Sequence, residues 1–410
     1  MALADVGRRG PWSAFSTLRH RNFRLLWTGL LVSQTGSWMQ FIALGYLVDQ
    51  LTKAPIYLGL LGVSQAVPRL LFALIGGATA DRFDRRRVLL VTNLLLMVSA
   101  ILLWLLALTD RIQVWHVLLI GAVNSTTQSF DNPSRQSMVP LLVGDRELMS
   151  ALSLNTMAMN GSGIFGPSIG GVVIALVGVE GCFFVNALSY VAVVAALLRM
   201  EIPRQAAGGR ESIGADIREG LRVLGQNRHL LAMLGVVGAL SFFGRPYIRL
   251  MPAVAREVLG VGPTGLGVLQ AAPSVGTILA VFVVGVFGET TGRGRLLLGA
   301  AITTGLVVAL FGASTWFGVS VGLLVLAGTS QALAMAAGNT ILQTSVRPDH
   351  RGRMMGIWSM VNFGMFALGT LPLGALASAV GVGPALTLGG AVVVVVVGIL
   401  ALAVPRIARL

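Results

Sequence analysis

The stretch that decides the fold reads Gly77-Ala78-Thr79-Ala80-Asp81-Arg82-Phe83-Asp84-Arg85-Arg86-Arg87. It lies between two apolar runs, at 57–80 and 88–109, and each run is long enough to cross a bilayer as a helix. A link this short and this charged cannot lie within lipid, so it must lie at a membrane surface. Its four arginines indicate the cytoplasmic surface, because loops on that side carry an excess of Lys and Arg.

The composition indicates a membrane protein with several spans. The chain has 410 residues, of which 55% are hydrophobic and only 11% are charged, whereas soluble domains carry about 25% charged residues. The single cysteine, Cys182, excludes an internal disulfide. We find no phosphate-binding loop, metal-ligand spacing or catalytic constellation. The sequence therefore predicts no cofactor, no metal site and no enzymatic activity.

The strongly basic net charge of +14 does not require a nucleic-acid partner. Most of the 30 Lys and Arg residues fall in the termini and in alternate loops, which is the distribution expected for cytoplasmic segments. Three fall in the opposite loops and four within spans, namely Lys53, Arg111 and Arg256, and Arg69, Arg135, Arg245 and Arg249. The distribution predicts that both termini are cytoplasmic and that the chain contacts membrane lipids.

The apolar runs predict twelve spans, at 22–48, 57–80, 88–109, 114–138, 148–177, 181–199, 229–253, 264–287, 294–312, 318–344, 354–378 and 383–404. The longest polar stretch, 200–228, has Ile213, Ile217, Leu221 and Leu224 at helical spacing, which predicts an amphipathic helix on the cytoplasmic membrane face. This linker separates two six-span bundles, 1–199 and 229–410. The halves are loosely repeated, since Gly77…Asp81…Arg87 recurs as Gly285…Glu289…Arg295.

The charged link resembles the loop 2–3 signature of the major facilitator superfamily, Gly-x-x-x-Asp-Arg-x-x-Arg-Arg. Further stretches resemble the enterobactin-exporter-like branch, also called the transmembrane secretion effector group: Phe23-Arg-Leu-Leu-Trp27, Gly36-Ser-Trp-Met-Gln40, Phe184-Val-Asn186 and Arg351-Gly-Arg353. The resemblance implies an all-α membrane protein with twelve transmembrane helices in two pseudo-symmetric six-helix bundles, the major facilitator fold.

The resemblance also implies a function. We expect a secondary active exporter, driven by inward proton movement, that moves an amphipathic small molecule such as a siderophore or a drug by alternating access. It would work as a monomer in a bacterial inner membrane. A lysophospholipid transporter of the same fold is the first alternative. A non-transporting receptor or scaffold is a more remote one.

By the same resemblance, the link at 77–87 is a conformational latch. Gly76 and Gly77 would allow close helix approach, and Asp81 would accept hydrogen bonds from the start of span 11. Arg82, Arg85 and Arg86 would pair with acids at neighbouring span ends, with Asp131 as the candidate. The alternative is a simple topology signal. The chain departs from the family pattern at Asp84, where glycine is usual.

Span 5 contains Gly166-Pro167-Ser168-Ile169-Gly170-Gly171, which resembles the antiporter motif of exporters in this superfamily. The glycines would make a flat helix face, and the proline removes one backbone hydrogen bond and bends the helix. Generic packing of small residues is the alternative.

Acids within spans are costly in lipid, so each is a candidate for proton coupling. Asp131 and Arg135 lie one helical turn apart, which allows either a coupling role or a merely local ion pair. Asp49 is a second candidate, with an exposed acid at a helix end as its alternative. Related exporters carry an acid where this chain has Ser37, so coupling would fall to Asp131 or Asp49, or be absent.

Arg69, Arg245 and Arg249 lie within spans, and no acid in the predicted spans obviously pairs with them. We expect them to face a positively charged cavity that favours an anionic or phenolate-bearing substrate, although Arg249 could instead snorkel to the outer surface. Gln34 and Trp38 in span 1 are further candidate substrate contacts. Interhelical hydrogen bonding is the alternative for that polar run.

Overall fold

The structure, a computed structural model, describes residues 17–200, 227–287, 292–346 and 351–406. Within these ranges the chain is helical apart from short connections, and none of them contains a strand. The predicted amphipathic helix of the 200–228 linker lies outside the described residues. The prediction of an all-α membrane fold is confirmed.

Twelve helices are seen in the described ranges, and they form two halves of six. They are α1 (Arg21–Thr52), α2 (Pro55–Arg82), α3 (Arg85–Leu108), α4 (114–143), α5 (145–177), α6 (179–199), α7 (Arg228–Val258), α8 (Pro263–Phe287), α9 (Arg293–Ala313), α10 (Phe317–Ser345), α11 (351–380) and α12 (Val382–Ala403). Several extend beyond the predicted spans; α4, for example, continues through Pro140.

Helices α4, α5 and α6 follow one another almost without loops. The helical run Val114–Arg199 is broken only at Gly144 and Gly178, whose φ angles are 64° and 81°. Glycine adopts such left-handed conformations without the steric cost that a Cβ atom brings. Single glycines therefore reverse the chain twice and place three helices side by side.

Two helices near the middle of the molecule are interrupted. Helix α7 contains five-residue π-helical segments at Leu240–Gly244 and Val254–Val258, and α11 contains one at Met360–Gly364. Such wide turns leave backbone groups outside the regular ladder and occur often at functional sites. The π-helical segments therefore place side chains of α7 and α11 in directions that a regular α-helix would not give them.

Nine helical stretches in the described ranges are long and apolar enough to span a membrane by composition alone. One of them, Glu147–Arg199, contains both α5 and α6. Neither α1 nor α4 meets the criterion. These two helices carry the polar runs 33–40 and 131–136. Both of the helices that fall below the apolar criterion therefore contain candidate functional residues.

The two halves meet mainly at the end of the bundle opposite the termini, called here the far end. Helix α5 contacts α8 at Gly171 and Gly267, and α2 contacts α11 at Gly59 and Gly374. Each contact joins a far-end portion of one helix to a far-end portion of the other. The absence of side chains at these glycines lets the backbones of the two halves approach closely.

The buried apolar core follows the same division. One cluster at the far end contains residues of both halves, including Met39 and Leu58 from the first half and Tyr247 and Leu373 from the second. Towards the termini, one cluster contains only second-half residues, among them Met233, and another only first-half residues, among them Met138. The halves are therefore sealed together at the far end and packed separately at the other.

Candidate functional site

Three half-buried arginines lie on α2 and α7. Arg69 donates to Oε1 of Gln128 at 2.8 Å, Arg249 donates to Oε1 of Gln65 at 2.7 Å, and Arg245 donates to Oδ1 of Asn362. All three partners are neutral amides. In the described part of the chain none of these arginines forms an ion pair, which agrees with the lack of a matching acid in the sequence.

Arg249 joins the two halves. It lies on α7, yet its guanidinium binds Gln65 on α2 and lies 4.5 Å from the centre of the Phe41 ring on α1. A cation over an aromatic face is attracted by the ring quadrupole. The snorkelling alternative for Arg249 is therefore wrong, because the side chain points between the halves.

Arg245 lies beside the two interrupted helices. It directly follows the π-helical segment Leu240–Gly244 of α7, and its partner Asn362 lies in the π-helical segment of α11. Its guanidinium carbon is 5.2 Å from the centre of the Phe366 ring. The irregular backbone thus positions a charge and an amide in the middle of the second half.

The polar run of α1 divides into two groups. Ser37 hydrogen-bonds to the Tyr190 hydroxyl at 3.1 Å, and Gln40 accepts from Asn186 at 2.7 Å, so these residues fix α1 to α6. Trp38 is half-buried and meets Phe41 edge-on at 5.4 Å, which places it next to the ring below Arg249. Gln34 is also half-buried and makes no hydrogen bond within the described ranges.

The glycines of the span 5 motif serve two different contacts. A Cβ atom on Gly166 would lie 2.9 Å from the Thr35 carbonyl oxygen, and one on Gly170 would lie 2.9 Å from Ile42, so both face α1. A Cβ atom on Gly171 would instead lie 2.6 Å from the Pro263 carbonyl oxygen of the other half. The motif therefore packs α5 against its own bundle and against α8.

Replacing Gly171 by valine is expected to separate α5 from α8, because the new side chain would collide with backbone atoms that cannot rotate away. Overpacking of this kind costs about 1–3 kcal/mol. We expect a lower melting temperature of the purified protein and loss of transport. The control is Gly299→Val on α9, where a Cβ atom has open space. An equal effect of both variants would contradict the proposed contact.

Asp131 lies inside the first bundle, 1% exposed. Its carboxylate accepts hydrogen bonds from Thr92 at 3.0 Å and Asn93 at 2.8 Å, both on α3, and forms an ion pair with Arg135 on its own helix. A buried carboxylate is stable only when it is paired and hydrogen-bonded in this way. Thr92 and Asn93 were not predicted as partners of Asp131, although two adjacent polar residues in an apolar span are a signal for such a role.

The charged link at 77–87 is arranged differently from the prediction. Arg86 donates to the carbonyl oxygens of Leu197 and Leu198 at 2.8 and 2.9 Å, at the end of α6, and Arg85 donates to the carbonyl oxygen of Ser137 at 2.8 Å. Arg82 is exposed. The predicted pairing of these arginines with Asp131 is wrong, because Arg135 and α3 already occupy that carboxylate.

Two further details of the latch prediction can be placed. Gly77 has open space where a Cβ atom would be, whereas a Cβ atom on Gly76 would lie 2.7 Å from the Ser129 carbonyl carbon. Close helix approach therefore depends on Gly76 and not on Gly77. Asp81 lies in α2, and its side chain, like those of residues 351–353 at the start of α11, falls outside the described part.

An ion pair between the buried Asp49 and the half-buried Arg256 connects the halves at the far end, and we call it the far-end pair. The Asp49 carboxylate, 1% exposed, receives Nε of Arg256 at 2.7 Å and Nη2 at 2.9 Å. The interpretation of Asp49 as an exposed acid at a helix end is therefore wrong. The pair lines a cavity of about 280 Å³ together with Tyr46, Gln50 and Pro252.

Comparison with known proteins decides the family. A model described as transmembrane secretion effector matches residues 12–409, which is nearly the whole chain. The chain belongs to this family. It is 20% identical to macrolide efflux protein A of Streptococcus pyogenes, with 91% of this chain and 93% of that protein covered. It is 25% identical to the multidrug efflux pump Tap of Mycolicibacterium fortuitum, with 93% and 95% covered.

A third relative is the enterobactin exporter EntS of Escherichia coli, at 24% identity over 87% of this chain and 85% of that protein. Among solved structures, the nucleoside transporter NupG superposes with a TM-score of 0.75 at 12% identity, covering 93% and 98% of the two chains. A bacterial homologue of ferroportin in an inward-facing state gives 0.73 at 14%, covering 95% and 99%. These similarities support the predicted fold.

Two departures of this secretion effector from the family pattern have local explanations. Asp84, where glycine is usual, caps the N-terminus of α3 by accepting a hydrogen bond from the Arg87 amide at 3.0 Å. Ser37, where related exporters carry an acid, binds the buried Tyr190 hydroxyl. Each residue therefore has a structural role at its position.

Proposed function

We propose that this transmembrane secretion effector is a secondary active exporter of amphipathic small molecules, working by alternating access in a bacterial inner membrane. The observation that carries the proposal is the asymmetry of the interface. The halves are sealed at the far end and pack separately near the termini, and Arg249, which has no acidic partner in the described residues, bonds from one half to the other. The names of the relatives, which describe efflux of macrolides, enterobactin and several drugs, support export.

The direction of opening follows from the charge distribution. Arginine-rich segments, including 82–87, lie on the side of the termini, which by the positive-inside rule is the cytoplasm. The far end is then assigned to the outer side, and the structure to the inward-facing state. In this state a substrate reaches the arginines from the cytoplasm, as an exporter requires.

The far-end pair is assigned the role of an outer gate. Asp49 and Arg256 belong to opposite halves and lie where the halves must separate to release substrate outside. Their separation exposes both charges to water, which hydrates them and replaces the lost pairing. The ion pair therefore stabilises the closed outer side and still allows the outward-facing state to form.

Proton coupling is assigned to Asp131. Protonation would remove the charge that holds Arg135, Thr92 and Asn93, and so would change how α4 packs on α3. A proton shifts the equilibrium between the two states only if it binds them with different affinity. We assign to the link at 82–86 the role of a latch that holds the outward-facing state. This link joins α2 and α3 and contacts the end of α6.

The experiment that tests this function uses inside-out membrane vesicles from cells producing the protein, in which respiration acidifies the lumen. The panel contains catecholate siderophores, macrolides, cationic dyes and lysophospholipids. We expect uptake of one soluble class, abolished by nigericin. Uptake of lysophospholipid alone, unaffected by nigericin, would support the lipid transporter instead. No uptake of any class by folded protein would favour the scaffold.

A further inference from the structure

The three arginines of α2 and α7 have unused hydrogen-bonding capacity. Each of the three donates one terminal nitrogen to an amide oxygen. Among the residues that the structure describes, Nε of Arg245 and Nε of Arg249 are buried and have no hydrogen-bond partner. No terminal nitrogen of the three arginines is both buried and without a partner. The terminal nitrogens that make no hydrogen bond are therefore accessible. At least one further nitrogen of each is therefore open to a ligand.

Arg69 and Arg249 come from opposite halves and are close neighbours. Gln65, which holds Arg249, lies one helical turn before Arg69 on α2, and residues at that spacing share one helix face. Arg249 and Arg69 thus place two positive charges at neighbouring positions on one face of α2. No carboxylate in the described ranges forms a salt bridge with either of them. Two like charges with open donors favour a negatively charged group between them.

The surroundings of this site are aromatic. Phe41 lies 4.5 Å from the Arg249 guanidinium, and Trp38 lies edge-on to Phe41 at 5.4 Å. Both rings are on α1, and Trp38 also lies next to Gly163 of α5. Aromatic rings beside a charged group suit a ligand that has a flat apolar body and one charged end.

We propose that Arg69 and Arg249 form an anion-binding site for the transported molecule, which would be an amphipathic organic anion whose apolar body lies on Trp38 and Phe41. The site rests on the proposed function and narrows its substrate class. The bound anion would relieve the repulsion between two arginines of opposite halves. Substrate binding would thereby draw the halves together at the cytoplasmic side and favour the outward-facing state.

The test measures binding of three matched fluorescent probes to the full-length protein in phosphatidylcholine nanodiscs. Dansylglycine is an anion, dansylglycinamide is neutral and dansylcadaverine is a cation, and energy transfer from tryptophan reports binding of each. We expect dansylglycine to bind at least tenfold more tightly than the other two. Equal affinity for all three probes would overturn the proposal.

Variants locate the site. A charge-assisted hydrogen bond is strong enough that Arg69→Gln and Arg249→Gln should each weaken dansylglycine binding by about tenfold to a hundredfold. Arg249→Lys should recover part of the affinity, because it keeps the charge. Arg111→Gln removes an exposed arginine of the far-end side and should have no effect. Unchanged binding in both Arg69→Gln and Arg249→Gln would overturn the proposal.

Competition distinguishes the two possible sources of the anion. Displacement by 2-naphthoate alone assigns the site to soluble anions, and displacement by lysophosphatidylglycerol but not lysophosphatidylcholine assigns it to anionic lipids. Equal displacement by lysophosphatidylcholine overturns the site. Uptake of a cation by vesicles that does not depend on Arg69 or Arg249 would support export and refute the anion site. Binding of the anionic probe that depends on these arginines, without uptake of any compound, would support the anion site and refute export.

Discussion

Replacing Arg256 by glutamine is expected to open the outer side of the transporter. The variant leaves the Asp49 carboxylate buried and without its bidentate partner, and breaking a buried pair in this way costs about 3–5 kcal/mol. Since about 1.4 kcal/mol changes an equilibrium tenfold, the cost would shift the population by a hundredfold or more towards states in which water reaches Asp49. We therefore expect the outward-facing state to become dominant.

The measurement is the rate at which a membrane-impermeant thiol reagent, added from outside, labels a cysteine placed at Tyr46. That residue lines the cavity of the far-end pair. The background is Cys182→Ala, which removes the single native cysteine. Arg256→Gln should label much faster than the parent, and adding Asp49→Asn should restore slower labelling, because no lone charge then remains. Equal labelling of parent and single variant would refute the gate.

Replacing Asp131 by asparagine is expected to abolish transport driven by a pH gradient, with a decrease of a hundredfold or more. Asparagine keeps the size of the side chain and can still accept from Thr92 or Asn93, but it cannot carry a proton in exchange for substrate. Substrate binding should be retained, because the Asp131 carboxylate is bonded to Thr92, Asn93 and Arg135 and to none of the arginines proposed to bind substrate. Uptake by proteoliposomes with and without a pH gradient measures the effect.

The control for Asp131→Asn is Asp110→Asn. Asp110 is exposed and has a φ angle of 52°, a conformation that asparagine adopts readily, so this change removes one acid without strain. Asp110→Asn should transport as the parent does. If Asp131→Asn still moved substrate up its gradient at the parent rate when a pH gradient was imposed, coupling through Asp131 would be refuted.

The fold was predictable because it depends on local signals. Apolar runs long enough to span a bilayer, separated by arginine-rich or glycine-containing links, specify twelve helices whatever their packing partners are. The same reasoning located the turns at Gly144 and Gly178 only approximately, since a break between two helices can consist of one glycine. The exact helix ends depend on packing beyond the membrane.

The site was predictable in its residues but not in its contacts. Arginines within spans predicted a polar cavity, and the structure shows Arg249 bonded to Gln65 of the other half. Asp49 and Arg256 are 207 residues apart, and no local pattern connects them. The link arginines were expected to pair with Asp131, but Arg86 and Arg85 donate to carbonyl groups at the end of α6 and on α4. Such partners are set by helix packing, which the sequence does not display.

The measurement that tests the central claim most directly is proton release from the purified protein in lightly buffered detergent when a substrate is added. Wild type and Asp131→Asn are compared across the same panel of siderophores, macrolides, dyes and lysophospholipids. The account predicts that one class releases protons from wild type and that the release is lost in the variant while binding remains. Substrate binding to wild type without proton release would contradict proton-coupled export through Asp131.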